Sequence, residues 1–143
     1  MTTKQIELVQ RSWQMVVALD AQTVGSLFYN RLFEIAPEVK PMFGRSSMEE
    51  QSRKLLSMLS YVIGKLHKLG DIIGEVKKLA QRHVHYGVHD EHYTDVGRAL
   101  LWTLEAGLGD NWNNDLKNAW TDCYTTLAEA MMSASKNTEK ELV

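Results

Sequence analysis

Apolar residues recur at three- and four-residue steps along nearly the whole chain, and no segment alternates with the period of two that a half-buried strand requires. That pattern predicts an all-α fold. The only prolines stand at 37 and 41, so every other stretch is free to continue as helix between its glycines. With 143 residues, 44% of them hydrophobic, the chain is long enough for one domain around one sizeable core. The domain is expected over residues 1–136, with a frayed tail over 137–143.

The helices can be placed by their caps and stripes. Thr2 or Thr3 caps a first helix whose inward face carries Ile6, Val9 and Trp13. Asp20 caps a second, with Val24, Leu27, Phe28, Leu32 and Ile35 facing inward and Tyr29 on the border of that stripe. Pro37 to Met42 reads as a short helix, followed by a loop from Phe43 to Ser47. Ser47 and Glu50 resemble a capping box for a long helix ending at Gly70, whose face changes from polar Gln51 to apolar Leu55, Met58, Leu59, Val62 and Leu66. Asp71 is expected to cap the next helix, which Gly87 terminates. Two further helices run from about Asp90 to Leu108 and from Leu116 through Met131.

A net charge of −2 provides no overall basic field, so nucleic acid is not an expected partner. The single cysteine, Cys123, cannot form an internal disulfide, and no Cys-x-x-Cys-His sequence exists for covalent haem attachment. The N-terminus lacks the apolar segment of a signal peptide, and no apolar run reaches eighteen residues. A cytoplasmic protein with no membrane partner, monomeric or weakly dimeric, is expected.

His83 stands out chemically. Val76, Leu79 and His83 share one helical stripe, which therefore aims an imidazole toward the core near a helix end. A five-coordinate haem iron needs one neutral imidazole, a flat apolar slot and a shaped space opposite. His83 can supply the nitrogen, and its other ring nitrogen can donate to a backbone carbonyl. Leu79 and Val88 can pack against the same face of the macrocycle, Phe43 can offer it an aromatic surface, and Leu55, Met58, Leu59 and Leu104 can exclude water. Tyr29 and Gln51 can line the opposite wall.

The segments LFYNRLFEIAPEVKPMF from Leu27, QSRKLL from Gln51 and QRHVHYGVHDEHYTDVG from Gln81 resemble the globins, specifically bacterial single-domain globins similar to the haem domain of flavohaemoglobins. The likeness spans nearly the whole chain. It implies a globin fold of about seven to eight helices around a haem pocket. It also implies noncovalent haem b, His83 as the iron ligand, Phe43 stacked on the haem, and Tyr29, Gln51 and Leu55 beside the bound gas. Dioxygen carries partial negative charge when bound, so donors at Tyr29 and Gln51 favour it over carbon monoxide. The implied function is reversible, high-affinity dioxygen binding for storage, delivery or scavenging. Nitric oxide dioxygenation with a separate reductase is the alternative, and a haem-based gas sensor is a third reading. In the related flavohaemoglobins a tyrosine and a glutamate support the ligand histidine. Tyr93 matches the tyrosine, but an ungapped count places Ser135 at the glutamate position, which weakens the implication of peroxidase-like chemistry.

The other candidates have plainer readings. His85 lies about 200° around the helix from His83 and should face solvent, and His67 is off the Gln51 and Leu55 face. His89 and His92 follow Gly87 at a helix start, where exposure is expected, with His92 able to approach a haem propionate. Cys123 reads as a small buried hydrophobe.

Overall fold

Three helix starts follow from residues within one turn of them. Thr2 caps α1 (Thr3–Val17) by accepting from the Gln5 N–H at 3.1 Å, while the Gln5 side chain accepts from the Thr2 N–H at 2.9 Å. Asp20 caps α2 (Ala21–Ile35) through the Thr23 N–H, and Ser47 caps α3 (Met48–Gly64) through the Glu50 N–H. The remaining α-helices are α4 (Ile73–His85), α5 (Asp90–Leu108) and α6 (Asn114–Leu142). The computed structural model describes residues 1–43 and 47–142, with side chains through residue 136. The loop expected at 44–46 and the tail side chains at 137–143 lie outside the described residues. No strand occurs among the described residues, and none of their helices is long and apolar enough to cross a membrane.

Two boundaries differ from the sequence expectation. The long helix stops at Gly64, not Gly70, and a 3-10 segment, Leu66–Ile72, follows it. The segment is kinked at Lys68, whose φ of −139° and ψ of 48° are not helical, and it buries Leu66 and Ile72 with Leu69 half-buried. Asp71 consequently lies within that segment, and α4 begins at Ile73 without a side-chain cap. Pro37–Phe43 is likewise a 3-10 helix, with Pro41, which has no N–H to donate, inside it.

α2 and α3 cross at unusually short range. A Cβ added to Gly25 would overlap the Ser52 hydroxyl and Cβ and lie 3.0 Å from the Ser52 Cα. Ser52 itself is fully buried and donates to the Met48 carbonyl at 2.7 Å. Tyr29, one turn beyond Gly25, is thereby brought against the first turn of α3. Gly25→Val should destabilise the protein by about 2 kcal/mol or more by prying this crossing apart. The check is the midpoint of urea unfolding, which an easily separated helix pair would leave unchanged.

The apolar interior falls into two clusters. The larger draws on α1, α2, α3, α5 and α6, including Trp13, Phe28, Tyr29, Leu32, Leu104 and Trp120. Trp120 donates to the Ser12 hydroxyl at 2.9 Å, Trp13 donates to the Ser60 hydroxyl at 2.9 Å, and the two indoles lie 5.9 Å apart. The smaller cluster consists of Ala80, Tyr93, Ala128 and Met131, with Val76, Leu79 and Val88 packed against it. Helices α5 and α6 run through both. α3 packs on α2 and α4 on α6, with no extensive contact between α3 and α4 among the described residues. α3 carries Gln51 and α4 carries His83.

Candidate functional site

The α4 wall is built around the end of its helix. Gly87 adopts φ +86°, a conformation that side chains disfavour, which lets the Gly87 N–H bond the Val84 carbonyl and the Val88 N–H bond the His83 carbonyl, both at 3.0 Å. This pair of bonds is a Schellman motif, and it folds Val88 back beside the histidine. The His83 Nδ1 lies 2.8 Å from the Leu79 carbonyl. That carbonyl can only accept, so Nδ1 carries the proton and Nε2 is left as the ring nitrogen with a free lone pair. Burial lowers the His83 pKa, as does the nearby Arg82 charge, against an opposing contribution from the Leu79 bond. The half-buried ring thus favours its neutral, metal-competent form.

Tyr93 backs this histidine, its ring nearly parallel to the imidazole with centroids 6.4 Å apart. The Tyr93 carbonyl accepts from the Tyr124 hydroxyl at 2.6 Å, and Tyr124 packs against both apolar clusters. Gly97 permits this, because a Cβ there would lie 2.7 Å from the Tyr124 ring. Ser135 is buried and acts on the Tyr93 phenol, whose buried hydroxyl has no hydrogen-bond partner of ordinary length and angle among the described residues. Desolvation raises its pKa.

The other candidate residues come from α2, the 3-10 segment after it and α3. Tyr29 is buried among Phe28, Phe33 and Phe43, with ring centroids 5.0, 6.0 and 5.3 Å away. Its hydroxyl donates to the Gln51 carbonyl at 3.4 Å, near the limit for such a bond. Gln51 and Leu55 are half-buried, and Phe43, Leu55 and Leu59 pack against the larger cluster. Burial pushes the Tyr29 phenol up to about 12 and the Cys123 thiol likewise to about 12. Both groups then bind more protons in the folded than in the unfolded state as pH rises through their ordinary values, so stability is lost toward alkaline pH. From pH about 10 to 12 the Tyr29 share of the loss is roughly 2 to 3 kcal/mol. Urea midpoints measured across this range should fall, and less steeply in Tyr29→Phe.

Tyr29, Phe43, Leu55 and Leu104 therefore belong to the larger cluster, with Leu104 almost fully buried, while Leu79, Val88 and Tyr93 belong to the smaller one. Met58 is half-buried and joins neither. His92 departs from its expected exposure: it is buried, and its Nδ1 accepts from the His89 N–H at 3.0 Å, closing the first turn of α5. His85 and His67 are exposed and Cys123 is buried, as their helical positions indicate. Sequence reading missed Gly25, Ser52, Gly97 and Tyr124 as positioning residues. Only the small size of the two glycines, each facing a partner far away in sequence, signals those contacts.

Among the described residues no group of three or more His, Cys, Asp or Glu side chains could hold a bare metal ion. One neutral imidazole flanked by aliphatic and aromatic walls instead suits an iron whose other bonds come from a flat macrocycle. The donor set fits haem.

Comparison with known proteins agrees. The family model described as Globin matches residues 26–131. The chain is 35% identical over 137 residues to an anaerobic nitrite reductase of Physcomitrium patens, covering 86% of this chain and 76% of that protein. It is 29% identical to the flavohemoprotein of Bacillus subtilis, in a match that takes in 94% of this chain and 34% of that longer relative. Among solved structures, a bacterial globin from Campylobacter jejuni superimposes with a TM-score of 0.84 at 26% identity, covering 97% of this chain and 99% of that one. Family model, relatives and superposition agree with one another, and the chain belongs to the globin family of haem-binding proteins.

Proposed function

We propose that this globin holds haem b noncovalently and binds dioxygen reversibly with high affinity, with carbon monoxide and nitric oxide as competing ligands. One observation carries the reading: a buried phenol, Tyr29, is held to the Gln51 main chain by a bond of 3.4 Å, long enough to be exchanged for a better acceptor. Haem supplies a ferrous iron with one position open to a diatomic gas. His83 would hold that group through Nε2, its ring plane and tautomer fixed by the Leu79 carbonyl. Phe43, Leu55 and Leu59 on one side and Leu79 and Val88 on the other keep water from it. The Tyr29 hydroxyl and the Gln51 amide donate to a ligand that carries negative charge, which dioxygen does and carbon monoxide scarcely does. Gln51→Leu should speed dioxygen release about three- to tenfold and leave carbon monoxide release nearly unchanged. Stopped-flow ligand displacement checks this, and equal effects on both gases would remove Gln51 from the site.

The printed name of the moss relative favours a second reading, nitrite reduction. One electron from ferrous iron and two protons convert nitrite to nitric oxide and water, and Tyr29 is the buried hydroxyl available to pass a proton on that side. Anaerobic mixing of the ferrous protein with nitrite decides it: one ferrous site consumed per nitric oxide formed supports the activity, and an unreacted ferrous spectrum rejects it. Nitric oxide dioxygenation, the alternative carried by the family resemblance, would add a need for electrons from a separate reductase.

A further inference from the structure

Charge is spread unevenly along this chain. Between Gln51 and His85 seven lysines and arginines face only Asp71 and Glu75, a local charge of +5, so the rest of the chain carries −7 within the total of −2. Six of the seven basic residues sit on α3, the 3-10 segment after it and α4, and the seventh, Lys65, joins the first two of these. All are exposed, and none makes an ion pair with a described residue. On α4 the cause is visible in the helix period. Val76, Leu79, Ala80 and His83 turn inward, which leaves Lys77, Lys78 and Arg82 on the back of the helix that carries the candidate iron ligand. At the two ends of the same helix Ile73 is 64% exposed and Tyr86 58% exposed. These two apolar side chains flank the three basic ones, which leaves an exposed surface of mixed charged and apolar character.

A globin iron that has become ferric needs one electron to bind dioxygen again. An external one-electron donor would deliver it across the protein surface.

We propose that the outer face of α4, with Lys77, Lys78 and Arg82 between Ile73 and Tyr86, docks an acidic electron-carrier protein that reduces the ferric group held by His83. The proposal rests on the haem reading above. The step is a one-electron transfer: the carrier's reduced centre is oxidised and the ferric iron becomes ferrous. Charge complementarity selects this class of partner, because Lys77, Lys78 and Arg82 outnumber the one acidic residue of α4, Glu75, and attract a compact acidic protein, whereas the −7 carried elsewhere repels a polyanion that spreads over the surface. Anionic membrane and nucleic acid are disfavoured on that ground.

The test uses the holoprotein and a purified acidic plant-type ferredoxin as probe. Binding of the oxidised ferredoxin is measured by calorimetry, and reduction of the ferric protein by the reduced ferredoxin is measured by stopped flow. The triple variant Lys77→Glu/Lys78→Glu/Arg82→Glu should lower both the association constant and the second-order reduction rate about tenfold or more at low ionic strength. The difference should shrink as salt is raised. Reduction by neutral reduced lumiflavin should stay within twofold of wild type, which also shows that the variant is folded. A control pair on the acidic remainder, Glu105→Lys/Asp115→Lys, should not weaken binding. Equal affinity and rate in wild type and triple variant overturn the proposal, as does an equal loss in the control pair. Tighter capture of phosphatidylserine-containing vesicles or duplex DNA through the same three residues also overturns it. A wild type without a haem absorption band would defeat the haem reading, while the calorimetry would still decide the docking face.

Discussion

Replacing His83 with alanine is expected to raise the rate of haem loss at least about a hundredfold, more than the effect usual for groups that merely orient a metal ligand. The variant should leave purification with a weakened or shifted Soret band. Helix content should hardly change, because the Gly87 turn and its bonds to Val84 and to the residue 83 carbonyl are made by the backbone. His83→Gly supplies the control: imidazole added to that variant should restore the spectrum by re-entering the vacated side-chain space. Transfer of haem to an excess of a scavenging apoglobin measures the rate. A haem-loss rate equal to wild type in His83→Ala would place the ligand elsewhere, and among the other histidines His85 and His67 are exposed and the buried His92 already accepts from the His89 N–H.

Tyr29→Phe is the second large effect. The substitution keeps the ring within the cluster of Phe28, Phe33 and Phe43 and deletes only the hydroxyl. In a dry site a hydrogen bond to a partly charged ligand contributes about 1.5 to 3 kcal/mol, so dioxygen should leave roughly ten- to a hundredfold faster. Carbon monoxide release should move by less than about threefold, because its oxygen is a poor acceptor. Removing the hydroxyl frees a bond of only 3.4 Å in the folded protein, so the cost in stability near neutral pH should be small. Stopped-flow replacement of bound dioxygen by carbon monoxide gives the rate directly, and an unchanged rate would take Tyr29 out of contact with the ligand.

What could be read from the chain was mostly local. The caps at Thr2, Asp20 and Ser47 depend on an acceptor and an N–H three residues apart, and each forms as its sequence indicates. The stripe that aims His83 inward follows from helical period alone, as does the outward turn of His85. α6 runs without interruption from Trp120 to Ser135, and Ser135 acts on the Tyr93 phenol. Legibility ended where period or distance changed. Leu66, Leu69 and Ile72 fit the α-helical and 3-10 patterns about equally well as a string of letters, and the break at Lys68 between them has no local signature. The Gly25 and Ser52 approach, which sets Tyr29 beside Gln51, joins residues of two helices, and neither has a local signature. His92 was misplaced for a related reason. A helix start is usually exposed, but α5 begins against the core, and the ring is used to accept from its own cap residue.

The central claim is a haem site between the His83 and Tyr29 walls that takes up dioxygen reversibly. Its most direct test is the absorption spectrum of the purified wild-type protein carried through ferric, reduced, air-equilibrated and deoxygenated states. The account predicts a strong Soret band, conversion of the reduced form to an oxygenated ferrous spectrum in air, and return to the reduced spectrum when oxygen is removed. A protein that takes up no haem, or one whose reduced iron turns ferric in air with no oxygenated form, would contradict it.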